Sequence, residues 1–420
     1  MRILFVLHQF YPEFSGGTER VVLNLARCAQ RAGHYVHVLA CTMRESPASQ
    51  RKASGALGGA YHEVYQGLPV TLIPRSQLPA SGDLGFDVAP AMVEQVRDWM
   101  RAERFELVHV FHAMRMSSAL MAAQQCGLPY VVTLTDFFVG CYRINAINAK
   151  NMPCAGPEEG RACGRDCLVS PWSELALLQR HQLAKALLQG ASECVVPSEY
   201  VADFFRAAFP DCHWRVIPHG IDFLSLAAPG VDTSVPQASA EGIVTLGYLG
   251  SIVPQKGLHV LLQALSCVPS SRLRLRVVGG FYGDPVYGED IRKMIASDPR
   301  VEWVGQVEPA EVAGILKSMD LLCLPSIVAE SFSLVLHEAA VLGLPALVSD
   351  LGAPRARLEA HGGGQVVAAG NVQAWARALA AIVDASDTIQ GWRSGIRLPY
   401  RVEEEAFFYE SLYRQLVTLA

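Results

Sequence analysis

The 420-residue sequence has no excess of basic residues and few charged residues altogether. Lysine and arginine number 35 against 40 aspartates and glutamates, which gives a net charge of −5, and charged residues make up only 18% of the chain. Binding to the phosphate backbone of nucleic acids requires a strongly basic surface. We therefore expect no nucleic-acid partner. Because 51% of the residues are hydrophobic, we expect a folded chain with sizeable cores.

Long apolar stretches are also missing. No run reaches the roughly 18 to 20 uninterrupted apolar residues of a membrane-spanning helix, since Glu330, Glu338 and Asp350 interrupt the most hydrophobic region. The apolar start of the chain ends at His8, before a secretory leader could form. These absences predict a cytoplasmic protein that is soluble or lies at the inner face of the membrane.

Cysteine is too scarce for a disulfide scaffold. The eleven cysteines are odd in number, which is typical of a reducing compartment. Four of them, Cys141, Cys154, Cys163 and Cys167, fall in one loop-like insert over residues 141–167. Four thiolates would suit a structural tetrahedral zinc. Their spacing matches no standard zinc motif, so free thiols or a redox pair are the alternative. We expect the other seven cysteines in the core.

Apolar strands alternate with amphipathic helices along most of the chain. The first unit of this kind is a strand over residues 3–7, a glycine-containing loop, and a helix over 18–31 with Thr18 as its N-cap. Such alternation predicts an α/β fold with doubly wound parallel sheets that helices cover on both faces.

The alternation pauses once, in a segment rich in alanine, serine, proline and glycine. We expect a first domain over residues 1–220, a linker over 221–241 and a second domain over 242–398. A last helical pattern over 399–420 needs a surface to pack on, and either domain could supply it.

Two strand-to-helix loops carry residues that suit a phosphorylated ligand. Gly16 and Gly17 let the backbone pass close to a ligand at the positive end of the following helix. In the second domain, the loop over 250–257 has Lys256 just before a helix. A lysine beside free helix amides is a good counter-charge for a diphosphate. Each loop by itself could equally be an ordinary turn.

Two carboxylates separated by seven residues are the most specific signal. Glu330 precedes a predicted helix and Glu338 lies one to two turns inside it. The free amides at the start of this helix, those of Phe332, Ser333 and Leu334, would form an anion site. Because the surrounding residues are strongly apolar, an unpaired Glu338 would be costly. We therefore interpret the pair as ligand-binding rather than as a cap and a surface residue.

Together these motifs resemble glycosyltransferase family 4, which comprises retaining nucleotide-sugar enzymes of the GT-B architecture. The matching segments are Gly16-Gly17-Thr18-Glu19, Pro218-His219-Gly220-Ile221-Asp222, Gly250 to Gly257, Gly305-Gln306-Val307 and Glu330 to Glu338. The resemblance covers nearly the whole chain, and a subset of the family also resembles the cysteine-rich insert. It implies two facing Rossmann-like domains with a cleft between them, and a terminal helix over 399–420 that packs back on the first domain. It also implies transfer of a sugar from a UDP- or GDP-sugar to a hydroxyl of a glycan or lipid-linked acceptor.

The resemblance also implies roles for single residues. Glu330 would lie by the donor sugar, Glu338 would accept hydrogen bonds from the ribose hydroxyls, and Lys256 would neutralise the diphosphate. The remaining donor contacts would come from Gly16, Gly17, Ser251, Val307 and the amides of Phe332, Ser333 and Leu334. The diphosphate itself would take the acceptor proton. Because Lys256 and the helix amides would hold the leaving group, no catalytic cofactor is expected.

Two positions depart from the family pattern. Ser251 stands where many relatives have an arginine, which removes one cation from the diphosphate site. Thr135, followed by Asp136, stands where relatives often have a histidine near the sugar. We expect Asp136 to supply the polar contact there, with His109 and His112 as alternatives.

Other functions remain open on the sequence. A nucleotide-sugar epimerase can share this architecture, and a non-catalytic nucleotide-sugar-binding protein is compatible with Ser251 and Thr135. Contact with a membrane surface is a further hypothesis. Three arginines of one helix, Arg97, Arg101 and Arg104, lie beside Trp99 and Met100 and could touch anionic lipid, although an ordinary solvated helix face is the alternative.

Overall fold

The computed structural model of the protein describes residues 1–45, 57–79, 86–150, 152–168, 172–226, 242–384 and 387–419. The chain divides into two compact units, a first unit of residues 1–220 and 402–420 and a second unit of residues 221–401. Most of the predicted linker, residues 227–241, lies outside the described residues. Its first residues include a short helix, Phe223–Leu226.

The strands of the first unit are β1 (Arg2–Val6), β2 (Tyr35–Thr42), β3 (Tyr61–Tyr65), β4 (Leu68–Pro74), β5 (Leu107–Val110), β6 (Tyr130–Thr133), β7 (Glu193–Val196) and β8 (Trp214–Val216). Those of the second unit are β9 (Val244–Leu249), β10 (Leu273–Val278), β11 (Val301–Gly305), β12 (Leu321–Leu324), β13 (Ala346–Ser349) and β14 (Gly364–Val367).

The helices up to residue 226 are α1 (Gly17–Arg31), α2 (Pro90–Ala102), α3 (Ser117–Cys126), α4 (Arg161–Cys167), α5 (Glu174–Gln189), α6 (Glu199–Ala208) and α7 (Phe223–Leu226). They are followed by α8 (Leu258–Ser266), α9 (Pro285–Ser297), α10 (Val312–Lys317), α11 (Leu334–Val341), α12 (Gly352–His361), α13 (Val372–Asp384), α14 (Asp387–Ser394) and α15 (Val402–Leu419).

The sheet of the first unit has the strand order β3-β4-β2-β1-β5-β6-β7-β8. All neighbours are parallel except β3 and β4, which form a hairpin. The strand β1 lies between β2 and β5, with Phe5 opposite Val38 on one side and His109 on the other. The chain order therefore reverses direction next to β1, and this is where ligands bind in doubly wound sheets.

The six-stranded sheet of the second unit repeats this arrangement in the order β11-β10-β9-β12-β13-β14, with every pair parallel. The strand β9 lies between β10 and β12, so the reversal lies between β9 and β12. All four residues of β12 are buried, which is the continuous apolar pattern of a strand covered on both faces. These findings confirm the predicted fold class of two Rossmann-like α/β domains.

The terminal helix α15 packs in the first unit, although it follows the second unit in the chain. Buried Glu405 accepts a hydrogen bond from the backbone amide of Gly220 at 2.8 Å and pairs with His219 at 2.9 Å. The hydroxyl of Tyr409 lies 2.9 Å from that of Thr133. These buried polar contacts hold α15 against the sheet beside its apolar packing.

Some local expectations differ from the structure. Gly16, not Thr18, is the N-cap of α1, because the hydroxyl of Thr18 faces the hydroxyl of Thr135 at 2.9 Å. The strands β3, β4 and β14 were not predicted. In β3 the residues alternate between half-buried and exposed, as suits an edge strand whose apolar pattern is weak.

Candidate functional site

The loops that leave β9 and β12 meet at the strand reversal of the second unit. Residues 250–257 follow β9 and residues 325–333 follow β12. Gly257 has a φ of +68°, and a Cβ at this position would lie 1.9 Å from the carbonyl oxygen of Pro325. Only glycine therefore allows the two loops to approach this closely. The amide of Ile327 also donates to the carbonyl of Gln255 at 2.9 Å.

Lys256 and Glu330 form an ion pair where these two loops meet. The Nζ atom of Lys256 lies 2.9 Å from Oε1 of Glu330, and the hydroxyl of Ser326 donates to the same carboxylate oxygen. Burial alone would raise the pKa of Glu330. The charge of Lys256 and hydrogen bonds from Ser326, Lys256 and Ser333 outweigh this effect, so the pKa of Glu330 lies below its usual value. A fixed carboxylate therefore lies beside a fixed ammonium.

A second glycine holds the backbone of Glu330. Gly352, the first residue of α12, has a φ of +67°, and a Cβ there would lie 2.6 Å from both the nitrogen and the oxygen of Glu330. The next amide, that of Ala353, donates to the carbonyl of Glu330 at 2.9 Å. Gly352 and Ser326 were not predicted from the sequence, because no local pattern relates them to Glu330.

The helix that contains the second glutamate begins later than predicted. Ser333 is its N-cap and Leu334 its first residue, so the amides without partners inside the helix start at Leu334. Of the three predicted amides, that of Phe332 lies ahead of the helix. Glu338 lies one turn inside and is 5% exposed, which excludes the alternative of a surface residue.

The other predicted donor residues of the second unit also follow parallel strands. Ser251 comes after β9, and its carbonyl accepts a hydrogen bond from Tyr248 at 2.8 Å. Val307 comes after β11, is half-buried and packs against the apolar core. Beside it, Gln306 accepts a hydrogen bond from the hydroxyl of Tyr282 at 3.1 Å. Every predicted donor-binding residue of this unit thus lies in a loop or helix that follows the carboxyl end of β9, β11 or β12.

In the first unit, polar side chains cluster at the reversal between β1 and β5. His8 follows β1, His112 follows β5, and their ring centroids lie 3.9 Å apart. Nε2 of His112 lies 2.7 Å from Oδ2 of Asp136, and its Nδ1 lies 3.2 Å from the amide of Met114. Since an amide can only donate, Nδ1 accepts the hydrogen bond from Met114. Nε2 therefore carries a proton and donates a hydrogen bond to Asp136. His112 therefore holds Asp136 in place.

Asp136 is held from a second side as well. Its Oδ1 atom accepts a hydrogen bond from the amide of Phe138 at 2.9 Å, while about a third of the side chain stays exposed, 31% by area. Burial lowers the pKa of the neighbouring His8 well below its usual value, and the charge of Arg115 lowers it further. The cluster combines a neutral imidazole with a carboxylate that a ligand can reach.

The loop with Gly16 and Gly17 lies at the start of α1 in the same unit. Glu19 is buried, and a Cβ on Gly16 would lie 2.6 Å from its Oε2 atom. Burial raises the pKa of Glu19, while hydrogen bonds from backbone amides and from Gln9 lower it by less. Glu19 thus closes the first turn of α1 as in a capping box. Gly16 is needed because a side chain there would collide with the Glu19 carboxylate.

His109, one of two alternatives to Asp136, is a structural residue. It is fully buried, its Nδ1 atom is hydrogen-bonded to the hydroxyl of Tyr413, and its Nε2 atom lies 2.7 Å from the hydroxyl of Thr133. Both ring nitrogens are therefore engaged inside the core between β5, β6 and α15. Burial lowers the pKa of His109 well below its usual value, which keeps the ring neutral.

The four cysteines of the insert lie around one cavity of about 120 Å³. Cys141 and Cys167 are buried, whereas Cys154 and Cys163 are half-buried. Burial raises the pKa of Cys163 to about 12, with further contributions from the other three thiols. No group of three or more metal-ligating side chains in the described part of the chain is arranged to hold a metal ion. The predicted structural zinc thus receives no support.

Two further predictions from the sequence need correction. Of the seven cysteines expected in the core, Cys267 is exposed, because it lies just after the end of α8. In the proposed lipid-binding helix, Trp99 and Met100 are buried in the core of the first unit, so they cannot touch a membrane surface. Among the described helices, none is long and apolar enough to span a membrane.

Comparisons with known proteins give family matches in both halves of the chain. A family model described as Glycosyltransferase Family 4 matches residues 15–223, and one described as Glycosyl transferases group 1 matches residues 243–385. The chain is 27% identical over 376 residues to the phosphatidyl-myo-inositol mannosyltransferase of Mycobacterium leprae, covering 88% of this chain and 84% of that protein. It is 24% identical over 389 residues to the D-inositol 3-phosphate glycosyltransferase of Pseudarthrobacter chlorophenolicus, covering 88% and 82%.

Solved structures share the fold over the full length. The sucrose-phosphate synthase of Thermosynechococcus elongatus matches with a TM-score of 0.71 at 20% identity, covering 100% of both chains. The Anabaena protein Alr3699/HepE in complex with UDP and glucose matches with a TM-score of 0.67 at 18% identity, covering 99% of this chain and 100% of that one. At these identities the similarity establishes the fold alone.

Proposed function

Because this chain is a glycosyltransferase that belongs to family 4 and group 1, we propose that it moves a sugar from a nucleoside-diphosphate sugar, with UDP or GDP as the carrier, to a hydroxyl of an acceptor. We further propose that the configuration at the anomeric carbon is retained. The observation that carries this proposal is the contact between Lys256 and Glu330 at the strand reversal of the second unit, directly before the free amides of α11.

In the proposed donor site, positive charge holds the diphosphate and negative charge faces the sugar. Lys256 and the amides from Leu334 onward would bind the diphosphate oxygens. Glu338 is buried one turn further, where its carboxylate would accept hydrogen bonds from ribose hydroxyls. Since the α11 amides and Lys256 neutralise the leaving group, we propose that transfer needs no catalytic metal and continues in excess EDTA.

The proposed step breaks the bond between the anomeric carbon and the diphosphate oxygen, and the bonding electron pair leaves with the nucleoside diphosphate. The acceptor hydroxyl forms a new bond on the face that the leaving group vacated, and its proton passes to a diphosphate oxygen. Positive charge develops on the sugar during this exchange. The ionised Glu330 carboxylate would stabilise that charge electrostatically.

For the acceptor, we propose a hydroxyl of a glycan, a glycolipid or a related compound. The relatives named phosphatidyl-myo-inositol mannosyltransferase and D-inositol 3-phosphate glycosyltransferase support hydroxyl-rich acceptors, one of them part of a lipid. A lipid-linked acceptor would bring the enzyme to a membrane surface. In the first unit, the partly exposed Asp136 carboxylate beside His8 and His112 would contact a sugar hydroxyl.

A donor screen tests the proposal. Purified protein is incubated with labelled UDP- and GDP-sugars, with and without lipid extract, and products are separated by mass. We expect a glycosylated acceptor and free nucleoside diphosphate. Formation of an epimeric nucleotide sugar would favour the epimerase alternative. Tight nucleotide-sugar binding without any product would favour a binding protein.

Variants assign the roles. Lys256→Ala and Glu338→Gln should each lower kcat/KM for the active donor at least tenfold, because a charged hydrogen bond contributes about 1.5 to 3 kcal/mol. Lys293→Ala, which removes an exposed lysine of α9 in the same unit, is the matched control and should transfer sugar at the wild-type rate. Wild-type activity of Lys256→Ala would contradict the assigned role of this lysine.

A further inference from the structure

Ser333, the residue between the Glu330 loop and α11, has a backbone conformation that residues with a side chain rarely adopt. Its φ is +71° and its ψ is +82°. A Cβ makes this left-handed region unfavourable. Such conformations persist only where the surroundings impose them, and they cluster at functional sites. The contacts of Ser333 identify the groups that impose its backbone conformation.

Two side chains restrain Ser333 from opposite sides. Its carbonyl oxygen lies 2.9 Å from Nδ1 of His337, and because a carbonyl can only accept, Nδ1 carries a proton and donates. Its hydroxyl is hydrogen-bonded to the Glu330 carboxylate and helps to lower the pKa of that group. Ser333 thus joins the histidine of α11 to the carboxylate that pairs with Lys256.

His337 also holds the residue before Ser333. Its ring lies flat on that of Phe332, with centroids 4.0 Å apart and planes inclined by 7°. His337 is buried, so this contact is shielded from water. One imidazole therefore restrains both residues that lead into α11, through a ring contact to Phe332 and a hydrogen bond to Ser333.

We propose that His337 is a positioning residue of the donor site. It holds Ser333 in the left-handed conformation, and Ser333 in turn fixes the Glu330 carboxylate and aims the first free amide of α11. This inference rests on the proposed function, because Glu330, Lys256 and these amides form the proposed donor site. It adds a residue outside the expected donor contacts, one that acts through Ser333 rather than by touching the substrate.

The proposal predicts that the effect of losing His337 depends on residue 333. His337→Leu removes the donor and leaves Ser333 free to relax, which would displace Glu330. Ser333→Gly adopts a positive φ without restraint, so the histidine is needed less. His337→Asn keeps a side-chain N–H near the position of Nδ1 and should rescue function. His361→Leu, which removes an exposed histidine of α12, is the matched control.

The experiment measures the dissociation constants of UDP and GDP by calorimetry, and kcat and KM for the active donor. We expect His337→Leu to weaken nucleotide binding and to raise the donor KM by about tenfold or more, equivalent to about 1.4 kcal/mol. His337→Asn should stay within about threefold of the wild-type protein, and His361→Leu should match it. Adding His337→Leu to Ser333→Gly should change the nucleotide dissociation constant and the donor KM each by less than about threefold.

Two results would overturn the inference: wild-type binding and KM in His337→Leu, or the same loss from His337→Leu in both backgrounds. A wild-type protein that binds neither UDP nor GDP and transfers no sugar would instead overturn the proposed function. In that case the urea midpoints of the wild-type protein, His337→Leu, Ser333→Gly and the double variant still decide whether His337 restrains Ser333. His337→Leu must lower the midpoint more with Ser333 present than in the S333G background, and equal shifts would refute it.

Discussion

Gly257→Ala is the substitution whose effect the structure defines most closely. The added methyl group would lie 1.9 Å from the carbonyl oxygen of Pro325, whereas real Cβ atoms essentially never approach a neighbour within 3.0 Å. The loops over 250–257 and 325–333 would therefore have to separate by about 1 Å. Because Lys256 precedes this glycine and Glu330 lies in the other loop, their 2.9 Å ion pair would open.

The expected loss of unfolding free energy in Gly257→Ala has two causes, backbone strain and a steric clash. Alanine variants of two other glycines allow the two causes to be measured separately. Gly343 has almost the same φ, +69°, but no described atom lies within 4 Å of the place an added methyl group would take, and helical Gly314 has neither a positive φ nor a close neighbour among the described residues. We expect Gly343→Ala to cost about 1 to 2 kcal/mol of unfolding free energy through the backbone alone. Gly257→Ala should cost about 2 to 5 kcal/mol, since overpacking is added. Gly314→Ala should stabilise by up to about 1 kcal/mol.

Urea unfolding of the three variants gives the free energies, and calorimetry with UDP and GDP gives binding. Displacing catalytic or binding groups by about 1 Å can cost on the order of a hundredfold in rate, so we expect Gly257→Ala to lose nucleotide binding at least tenfold. Gly314→Ala should bind as the wild-type protein does. The reasoning fails if Gly257→Ala is no less stable than Gly343→Ala, or if it binds nucleotide normally.

Three further predictions concern the first unit and the thiols. Burial lowers the pKa of His37 to about 4. Between pH 4 and 6.5 the unfolded chain therefore binds one more proton than the folded chain, and the free energy of unfolding rises with pH by at most about 1.4 kcal/mol per pH unit. In urea titrations His37→Gln should show a shallower dependence of this free energy on pH, and an unchanged slope would refute the prediction. His112→Leu removes the hydrogen bond to Asp136 and should lower kcat about tenfold or more, with wild-type turnover as the contrary result. Exposed Cys267 should react first with a thiol reagent, which peptide mapping checks against Cys267→Ser.

Much of the fold was accessible from the sequence because its signals are local. Strands such as β9, β12 and β13 are short, mainly apolar runs between helices, and such runs carry the alternation from which the fold class was predicted. The edge strand β3 has no such run and alternates between half-buried and exposed residues, since an edge strand is stabilised by pairing with its neighbour rather than by its own apolar pattern. The fold class followed from the alternation alone.

The sequence by itself determined which residue types stand at the ends of parallel strands, and from these we expect Lys256, Glu330 and Glu338 to share one site. Only the tertiary structure decided which side chains and backbone groups touch. Lys256 contacts Glu330 across 74 positions of chain, Gly352 fits against the Glu330 backbone, and His112 holds Asp136. Hydrogen bonds and steric fit depend on distances of a few ångströms between residues far apart in sequence, and no local pattern encodes those distances.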